Sequence, residues 1–334
     1  MAHYATKRYN YWGQLGILAA FCGAGLIIGG ILSLVPLIGK IDIFKSGGDS
    51  SKIMETILKP ENANAVRLMQ FITTLFLFFL PPVLYAKVCH VKVNKHLGFN
   101  SKLNIAQIGI VILVMIACSP LVDSLQQATE MLPWSKSTML KFQQAEDDYF
   151  KQVMVIARMD NVLDYILSVI VIALLPAIFE ETLFRGGLQN LLSRWFKAPI
   201  VAIIITSIIF SAIHGSYLGF FSRFALGFLL GWFYYRTGNI WLNIIAHFFN
   251  NAAAVTVLYF TSKPGIKMDP SKMDTHYPLW AGLVSIAIIA GLFILFEKVS
   301  KQYIDRPGEE VIMHGYNISS NPFENDIANI GENN

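Results

Sequence analysis

Apolar residues in this chain gather into long runs that are separated by polar stretches. A helix needs about 20 mostly apolar residues to cross a bilayer. Runs of about this length recur eight times, at 13–38, 66–88, 105–122, 162–184, 198–214, 219–236, 239–259 and 279–297. The pattern predicts an all-α fold, a polytopic transmembrane helix bundle with about eight membrane segments.

The composition agrees with a membrane protein. Of the 334 residues, 54% are hydrophobic and 14% are charged, whereas a soluble chain carries roughly 25% charged residues. A water-soluble core of this size would not leave so little polar surface. We therefore expect a multi-pass integral membrane protein in contact with the lipid bilayer, in the plasma (inner) membrane of a bacterium.

Basic residues are spread among the loops, and the net charge is +4. Nucleic-acid binding requires a clustered basic face, so we exclude nucleic acid as a partner. Short cytoplasmic loops carry an excess of Lys and Arg. The more basic short connections follow the second, fourth and last segments, and counting them places both termini in the cytoplasm.

One membrane domain, residues 1–305, is the simplest description of the chain. Residues 306–334 form a polar tail whose composition is typical of disorder. Residues 123–161 hold an amphipathic run with acidic and basic residues among the apolar ones. This run is compatible with a helix along the membrane interface, with a cap on the bundle and with a solvated helix.

Two pairs of glycines lie four residues apart inside apolar segments, Gly25 with Gly29 and Gly227 with Gly231. Small residues at this spacing let two helices approach each other closely. We predict that both pairs serve helix packing within the chain rather than dimerisation.

Four ionisable residues lie in or at the ends of apolar segments in the second half of the chain: Glu180, Glu181, His214 and His247. Ionisable groups at membrane depth cost several kcal/mol each, so they face a bundle interior or a watery cavity and indicate a function. The alternative for the acids is an interfacial position at a helix end. The alternative for His214 alone is ordinary packing. Together the four residues indicate an intramembrane enzyme.

Local spacing assigns a partner to one of the two acids. Glu181 and Arg185 are four residues apart, in the order that favours an ion pair on a helix. Glu180 lies about 100° around the helix from Glu181 and has no local partner. Because desolvation disfavours the ionised form of an unpaired carboxyl, such a group is suited to act as a general base.

Two further pairs have the same helical spacing. Phe210 and His214 share one helix face, and His247 and Asn251 share another. A buried histidine and a buried asparagine that point the same way can act together as hydrogen-bond donors. Two helices with histidines beside one with two acids are difficult to explain by packing alone.

The motifs Glu-Glu-x-x-x-Arg at 180–185, Phe-x-x-x-His at 210–214 and His-x-x-x-Asn at 247–251 occur in this order in three predicted membrane segments. They resemble the three motifs of the CAAX protease and bacteriocin-processing family, to which the eukaryotic Ras-converting CAAX endopeptidase belongs. Each motif alone is weak, but three in register are specific. The resemblance covers about 165–255.

The resemblance implies a glutamate-dependent intramembrane endopeptidase with a catalytic core at about 162–259. Glu180 would deprotonate a water with the help of His214, and that water would attack the scissile carbonyl. His247 and Asn251 would stabilise the oxyanion. The substrate would be a peptide or a protein, lipidated or not.

Three residues have supporting roles by the same resemblance, namely Glu181, Arg185 and Phe210. The first two would hold the turn that presents the catalytic acid, and the phenylalanine would pack beneath the first histidine. No metal or cofactor is implied.

Two alternatives remain open. Two imidazoles and one or two carboxylates are also a credible zinc site, with a metal-bound water as the nucleophile, although no H-E-x-x-H motif occurs. A non-enzymatic transporter or immunity protein could use the same buried groups to bind protons or a substrate. A transporter would favour two repeats with matching broken helices, and we find no such symmetry.

Straight helices perpendicular to the membrane do not bring the proposed site residues to one depth. At about 1.5 Å per residue, Glu180 and His247 fall near one membrane face, and His214 falls nearer the other. We therefore expect a bend or a displaced helix end. The candidate places are Pro176, Gly186, Gly187 and Pro199.

Overall fold

The computed structural model describes residues 9–39, 57–90, 92–100, 102–261 and 276–301, and within these ranges the protein is a bundle of helices without strands. The helices are α1 (Tyr11–Ser33), α2 (Pro60–Cys89), α3 (Val93–Leu97), α4 (Ile105–Glu130), α5 (Lys136–Ile156), α6 (Val162–Phe196), α7 (Pro199–Ile213), α8 (Phe220–Thr237), α9 (Ile240–Thr261) and α10 (Leu279–Ser300). The predicted all-α polytopic fold is confirmed.

Six of these helices are long and apolar enough to cross a membrane: α1 with its extension to Leu37, α2, α4, α6, α9 and α10. The other two predicted segments are also helices, but α7 has only 15 residues and α8 carries Arg223 and Arg236. The predicted number of eight spanning segments is therefore not confirmed. The division into a membrane domain and a polar tail stays a prediction, because 306–334 lies outside the described residues.

The two largest apolar cores of the described residues hold most of the bundle together. One core joins α4, α8, α9 and α10 through residues such as Val114, Phe233 and Phe296. The other joins α1, α2, α6 and α7 through residues such as Tyr85 and Phe184. Helices α6 and α9 also pack directly against each other, so the site residues on α6, α7 and α9 lie where the two cores meet.

The spaced glycines pack helices within the chain, as predicted. A Cβ on Gly25 would overlap the Phe76 carbonyl oxygen of α2, and one on Gly29 would lie 2.6 Å from the Phe76 side chain. On α8, a Cβ on Gly227 would lie 3.2 Å from the Ser207 side chain, and one on Gly231 would approach α6 and α7 as closely as 2.9 Å. Both pairs therefore allow close helix contacts.

The contact at Gly25 predicts a measurable loss of stability for Gly25→Ala. The added methyl group overlaps the α2 backbone, which cannot rotate away, and overpacking of this kind costs about 1–3 kcal/mol. We expect a lower thermal midpoint of the purified protein in detergent. Gly23→Ala is the matched control, because nothing lies within 4 Å of its Cβ position. Equal midpoints for the two variants would contradict the predicted clash.

Helix α6 is longer than the sequence pattern indicates. The predicted segment ended at 184, but the helix has 35 residues and continues to Phe196. The continuation carries polar residues that stop the apolar run, and they are buried by protein instead of lipid. Gln189 donates to the Gly231 carbonyl at 2.8 Å, and Asn190 donates to the His96 carbonyl at 2.6 Å.

Two π-helical stretches interrupt α6, at Val169–Leu174 and at Thr182–Gln189. The first ends two residues before Pro176, and the second contains Gly186 and Gly187. A π-helical turn changes the direction in which the following side chains point and is frequent at functional sites. The two stretches flank Glu180 and Glu181, at places where the sequence predicts a bend.

The lengths of α6 and α7 bring Glu180 and His214 to the same level. The chain turns between Phe196 and Pro199, and α7 runs back along α6. From this turn, α6 reaches Glu180 and α7 reaches His214 after about 22–24 Å each, at roughly 1.5 Å per residue. The sequence placed Glu180 and His214 at different membrane depths because it ended the fourth segment at 184, whereas α6 continues to Phe196.

Helix α9 is aligned by its first residue. The Ile240 amide donates to the Gly98 carbonyl at 2.8 Å, and the adjacent Leu97 carbonyl oxygen would lie 2.8 Å from a Cβ on Gly186. The start of α9 is thereby held near Gly186 of α6. Glu181 precedes Gly186 by little more than one helical turn, and His247 follows Ile240 by about two helical turns. The side chains of Glu181 and His247 can therefore meet.

Candidate active site

Glu180 and His214 face each other across the interface of α6 and α7. Glu180 Oε2 lies 3.8 Å from His214 Nε2, and the two side chains are 11% and 24% exposed. The other ring nitrogen, Nδ1, lies 2.7 Å from the Phe210 carbonyl oxygen. A carbonyl oxygen only accepts hydrogen bonds, so Nδ1 is the protonated nitrogen. In the neutral ring, Nε2 is then an acceptor that faces a carboxylate.

The 3.8 Å separation is too wide for a direct hydrogen bond. It suits two acceptors that are bridged by one water molecule, which donates one hydrogen bond to each of them. Glu180 Oε2 is a buried oxygen with no hydrogen-bond partner among the described residues. The separation of the two atoms therefore allows one water molecule to bridge them.

Glu181 has a different environment from its neighbour. Its carboxylate is fully buried and lies 3.1 Å from Arg185 Nε through Oε2, which confirms the ion pair predicted from their spacing. Its other oxygen, Oε1, lies 2.9 Å from His247 Nδ1. Glu181 is therefore held between a guanidinium on its own helix and an imidazole on α9.

Arg185 extends this arrangement to α7 and α8. Its Nη2 donates to the Gly227 carbonyl at 3.0 Å, and its guanidinium carbon lies 5.0 Å from the centre of the Phe210 ring. A charged group this deeply buried is tolerated only when it is paired. The ion pair thus connects α6 with three neighbouring helices and supports the predicted structural role of Glu181 and Arg185.

The contact between His247 and Glu181 was not predicted. The sequence associates His247 only with Asn251, four residues away on the same helix. The two contacting residues are 66 positions apart, and no local spacing indicates such a partner. The contact shows that a carboxylate orients the α9 imidazole through Nδ1, and this leaves Nε2 for another group.

Phe210 packs between the two imidazoles. Its ring centre lies 4.7 Å from that of His214 and 6.0 Å from that of His247, the latter with the ring planes at 79°. Phe184 of α6 contacts it edge-on at 5.1 Å. The predicted position of Phe210 beneath His214 is confirmed, and the ring also sets the spacing between the two histidines.

Asn251 lies one turn beyond His247 on α9. Its Nδ2 donates to the Ile172 carbonyl in the first π-helical stretch of α6 at 3.4 Å, and its Oδ1 accepts from Asn250 at 3.2 Å. No hydrogen bond joins Asn251 to the three other predicted catalytic side chains within the described ranges. The bond to Ile172 is long, so the amide can turn to another acceptor at little cost.

A metal centre requires at least three suitable ligands in one place. In the part of the chain that the structure describes, no group of three or more His, Cys, Asp or Glu side chains could hold a metal ion. Both sides of the Glu181 carboxylate are occupied by Arg185 and His247. These residues do not fit a three-ligand zinc site.

The same segment of the chain is similar to known proteins. Residues 162–253 match the Rce1-like family model, described as type II CAAX prenyl endopeptidase Rce1-like. The resemblance indicated by the three motifs is confirmed. The Rce1-like segment contains every residue assigned to the site from the sequence, from Glu180 to Asn251. It excludes α1 to α5 and α10.

A curated relative is also similar over part of its length. The uncharacterized protein YpbD of Bacillus subtilis (strain 168) is 36% identical over 96 residues, which are 28% of this chain and 46% of YpbD. The chain thus spans about half the length of this relative. No solved structure matches the chain.

Proposed function

We propose that this protein is an intramembrane endopeptidase that hydrolyses a peptide bond with a water molecule activated by Glu180. The observation that carries the proposal is the pair of facing acceptors, Glu180 Oε2 and His214 Nε2, 3.8 Å apart. The similarity of residues 162–253 to the Rce1-like family supports the same activity. We further propose the plasma membrane of a bacterium as its location, with both termini in the cytoplasm.

In the proposed reaction, a water donates one hydrogen bond to Glu180 and one to Nε2 of His214. Its oxygen lone pair attacks the scissile carbonyl carbon as Glu180 takes the proton. The carbonyl π electrons move onto the oxygen, which becomes the oxyanion. When the C–N bond breaks, the proton held by Glu180 passes to the leaving amine. General acid–base catalysis of this kind contributes about 10²–10⁴-fold to a rate.

The oxyanion would receive hydrogen bonds from His247 and Asn251. Since Nδ1 of His247 faces Glu181, the ring donates to substrate through Nε2 when it carries both protons. Asn251 donates through Nδ2 after leaving the Ile172 carbonyl. One such donor is typically worth 10²–10³-fold in kcat.

The Asn251→Ala variant tests the oxyanion role. We expect kcat to fall by about 10²-fold with little change in KM, because the lost hydrogen bond forms only as the carbonyl becomes charged. Asn250→Ala is the matched control, since the Asn250 side chain donates to Oδ1 of Asn251 and not to the Nδ2 that the proposed oxyanion role uses. A fall in kcat for Asn250→Ala as large as that for Asn251→Ala would assign the effect to helix packing instead.

The substrate class follows from the setting of the site. We propose a peptide or protein segment that enters the helix bundle in extended form, with or without a lipid group. Membranes that contain the active protein should be compared with membranes that contain the Glu180→Gln variant, by mapping protein termini with mass spectrometry. New termini that appear only with the active protein would support an endopeptidase. Identical termini would favour a transporter or immunity protein.

The zinc mechanism that the sequence left open uses the same residues, but no group of three ligands favours it among the residues that the structure describes. The metal content of the purified protein distinguishes the two mechanisms, together with cleavage before and after treatment with a chelator. The metal-free mechanism predicts cleavage that does not change with the chelator. Zinc at one atom per chain, lost together with activity, would overturn it.

A further inference from the structure

Helix α5 contacts the loop that carries His214. Residues 214–219, here called the His214 loop, connect α7 to α8. The Glu146 carboxylate of α5 accepts from Ser216 Oγ at 2.6 Å and from the Leu218 amide at 3.3 Å, both through Oε1. Of the three placements that the sequence left open for this amphipathic run, these contacts favour a cap on the bundle.

Two ring contacts flank the carboxylate. Phe142 stacks on Tyr217 of the loop, with ring centres 4.6 Å apart and planes at 15°. Tyr149 lies 5.6 Å from the guanidinium carbon of Arg223, at the start of α8. Phe142, Glu146 and Tyr149 are three or four residues apart and so share one face of α5. This face of α5 packs against the His214 loop and the start of α8.

The other end of α5 is anchored to the bundle. Arg67 of α2 donates from Nε to the Ile156 carbonyl at 3.0 Å and also donates to the Arg158 carbonyl. The same guanidinium lies 3.2 Å from Asp164 at the start of α6. The C-terminal end of α5 is thus held by α2 and α6. The middle of α5 contacts the His214 loop through Glu146.

The chain leaves α7 sharply at the start of the His214 loop. His214 follows the last residue of α7, and Gly215 has a φ of +68°, a value that L side chains rarely adopt. The backbone therefore leaves the helix immediately after the histidine. Ser216 links α5 to the far end of the loop, since its hydroxyl donates to Glu146 and accepts from the Gly219 amide at 3.0 Å.

We propose that Glu146 is a positioning residue for His214: its carboxylate holds the His214 loop so that Nε2 of the imidazole faces Glu180. The inference rests on the proposed function, because it concerns the geometry of the same water-activating pair. Glu146 lies on α5, outside the Rce1-like segment. A displacement of about 1 Å at a reacting group can cost on the order of 10²-fold in rate, so a support two residues from His214 matters for catalysis.

The test compares Glu146→Ala with Glu146→Gln. Alanine removes the acceptor, and we expect kcat to fall on the order of tenfold with KM nearly unchanged. Glutamine keeps a carbonyl oxygen that can accept both hydrogen bonds, and we expect a kcat within about twofold of wild type. Asp147→Ala is the matched control, because Asp147 is exposed on the same helix. A wild-type kcat for Glu146→Ala overturns the proposal, as does a rise in KM alone.

Ser216→Ala is a second variant, for the case that Glu146→Ala does not fold. It removes one hydrogen bond to Glu146 and keeps the other, from the Leu218 amide, so the loop stays attached to α5. The Ser216–Glu146 hydrogen bond is absent from either single variant, so the loss of kcat in the double variant should be smaller than the two single losses combined. Additive losses would overturn the proposal. If Glu180→Gln remains fully active, the proposed function itself fails. If Glu180→Gln is inactive while Glu146→Ala is fully active, only the role of Glu146 fails.

Discussion

Glu180→Gln should lose cleavage by about 10²–10⁴-fold in kcat, the range that a general base contributes. Glutamine has nearly the same volume and keeps one acceptor oxygen, but it cannot take a proton from water. Among the residues that the structure describes, Glu180 Oε2 has no hydrogen-bond partner and His214 Nε2 lies 3.8 Å away, so the fold should tolerate the change. The measurement is kcat at saturating substrate, with the thermal midpoint recorded on the same preparation.

The control for this experiment is Glu61→Gln, a loss of one carboxylate at an exposed position. It changes the net charge by the same amount and should leave kcat unaltered. Full activity of Glu180→Gln with a wild-type thermal midpoint would remove Glu180 as the base. The buried acids would then require another explanation, such as proton or substrate binding in a non-enzymatic membrane protein.

Contacts within one helix were predictable from the sequence. Glu181 with Arg185 and Phe210 with His214 are each four residues apart, and the helical period places such residues on one face. Both contacts are present, at 3.1 Å between Oε2 and Nε for the first and at 4.7 Å between ring centres for the second. For these pairs, the prediction of a helix already contains the prediction of the contact.

Contacts between helices were not predictable in the same way. The partner of His247 is set by how α9 is aligned with α6, and this depends on the hydrogen bond between Ile240 and Gly98. Nothing in the apolar pattern indicates that register. The end of α6 was predicted too early for a related reason. Polar side chains buried against protein groups interrupt an apolar run in the same way as side chains that reach water.

The amphipathic run at 123–161 shows the same limit. Its pattern indicates a helix with one apolar face, but the face can be covered by lipid, by protein or by neither. The contact of Glu146 with Ser216 and Leu218 distinguishes these cases, and it joins residues 70 or more positions apart. The candidate site residues could therefore be named from motifs, whereas the contacts that support them required the three-dimensional structure.

Arg185→Met should destabilise the protein by about 3–5 kcal/mol, the cost of leaving one charge of a buried pair without its partner. Methionine has a similar length and fills most of the space, so the loss is electrostatic. Glu181 would remain fully buried beside His247 alone. We expect a large fall in the thermal midpoint in detergent, and a fall in kcat because the carboxylate no longer holds the α9 imidazole in place.

Arg236→Met is the matched control, since the Arg236–Glu297 pair joins α8 to α10 with both side chains about one-third exposed. A pair of this exposure contributes about 0–1 kcal/mol, so its thermal midpoint should change little. In a double variant, Glu181→Gln with Arg185→Met, both charges are absent, and part of the lost stability should return. If Arg185→Met and Arg236→Met were equally stable, the Glu181–Arg185 pair would not be the buried support on which the orientation of His247 depends.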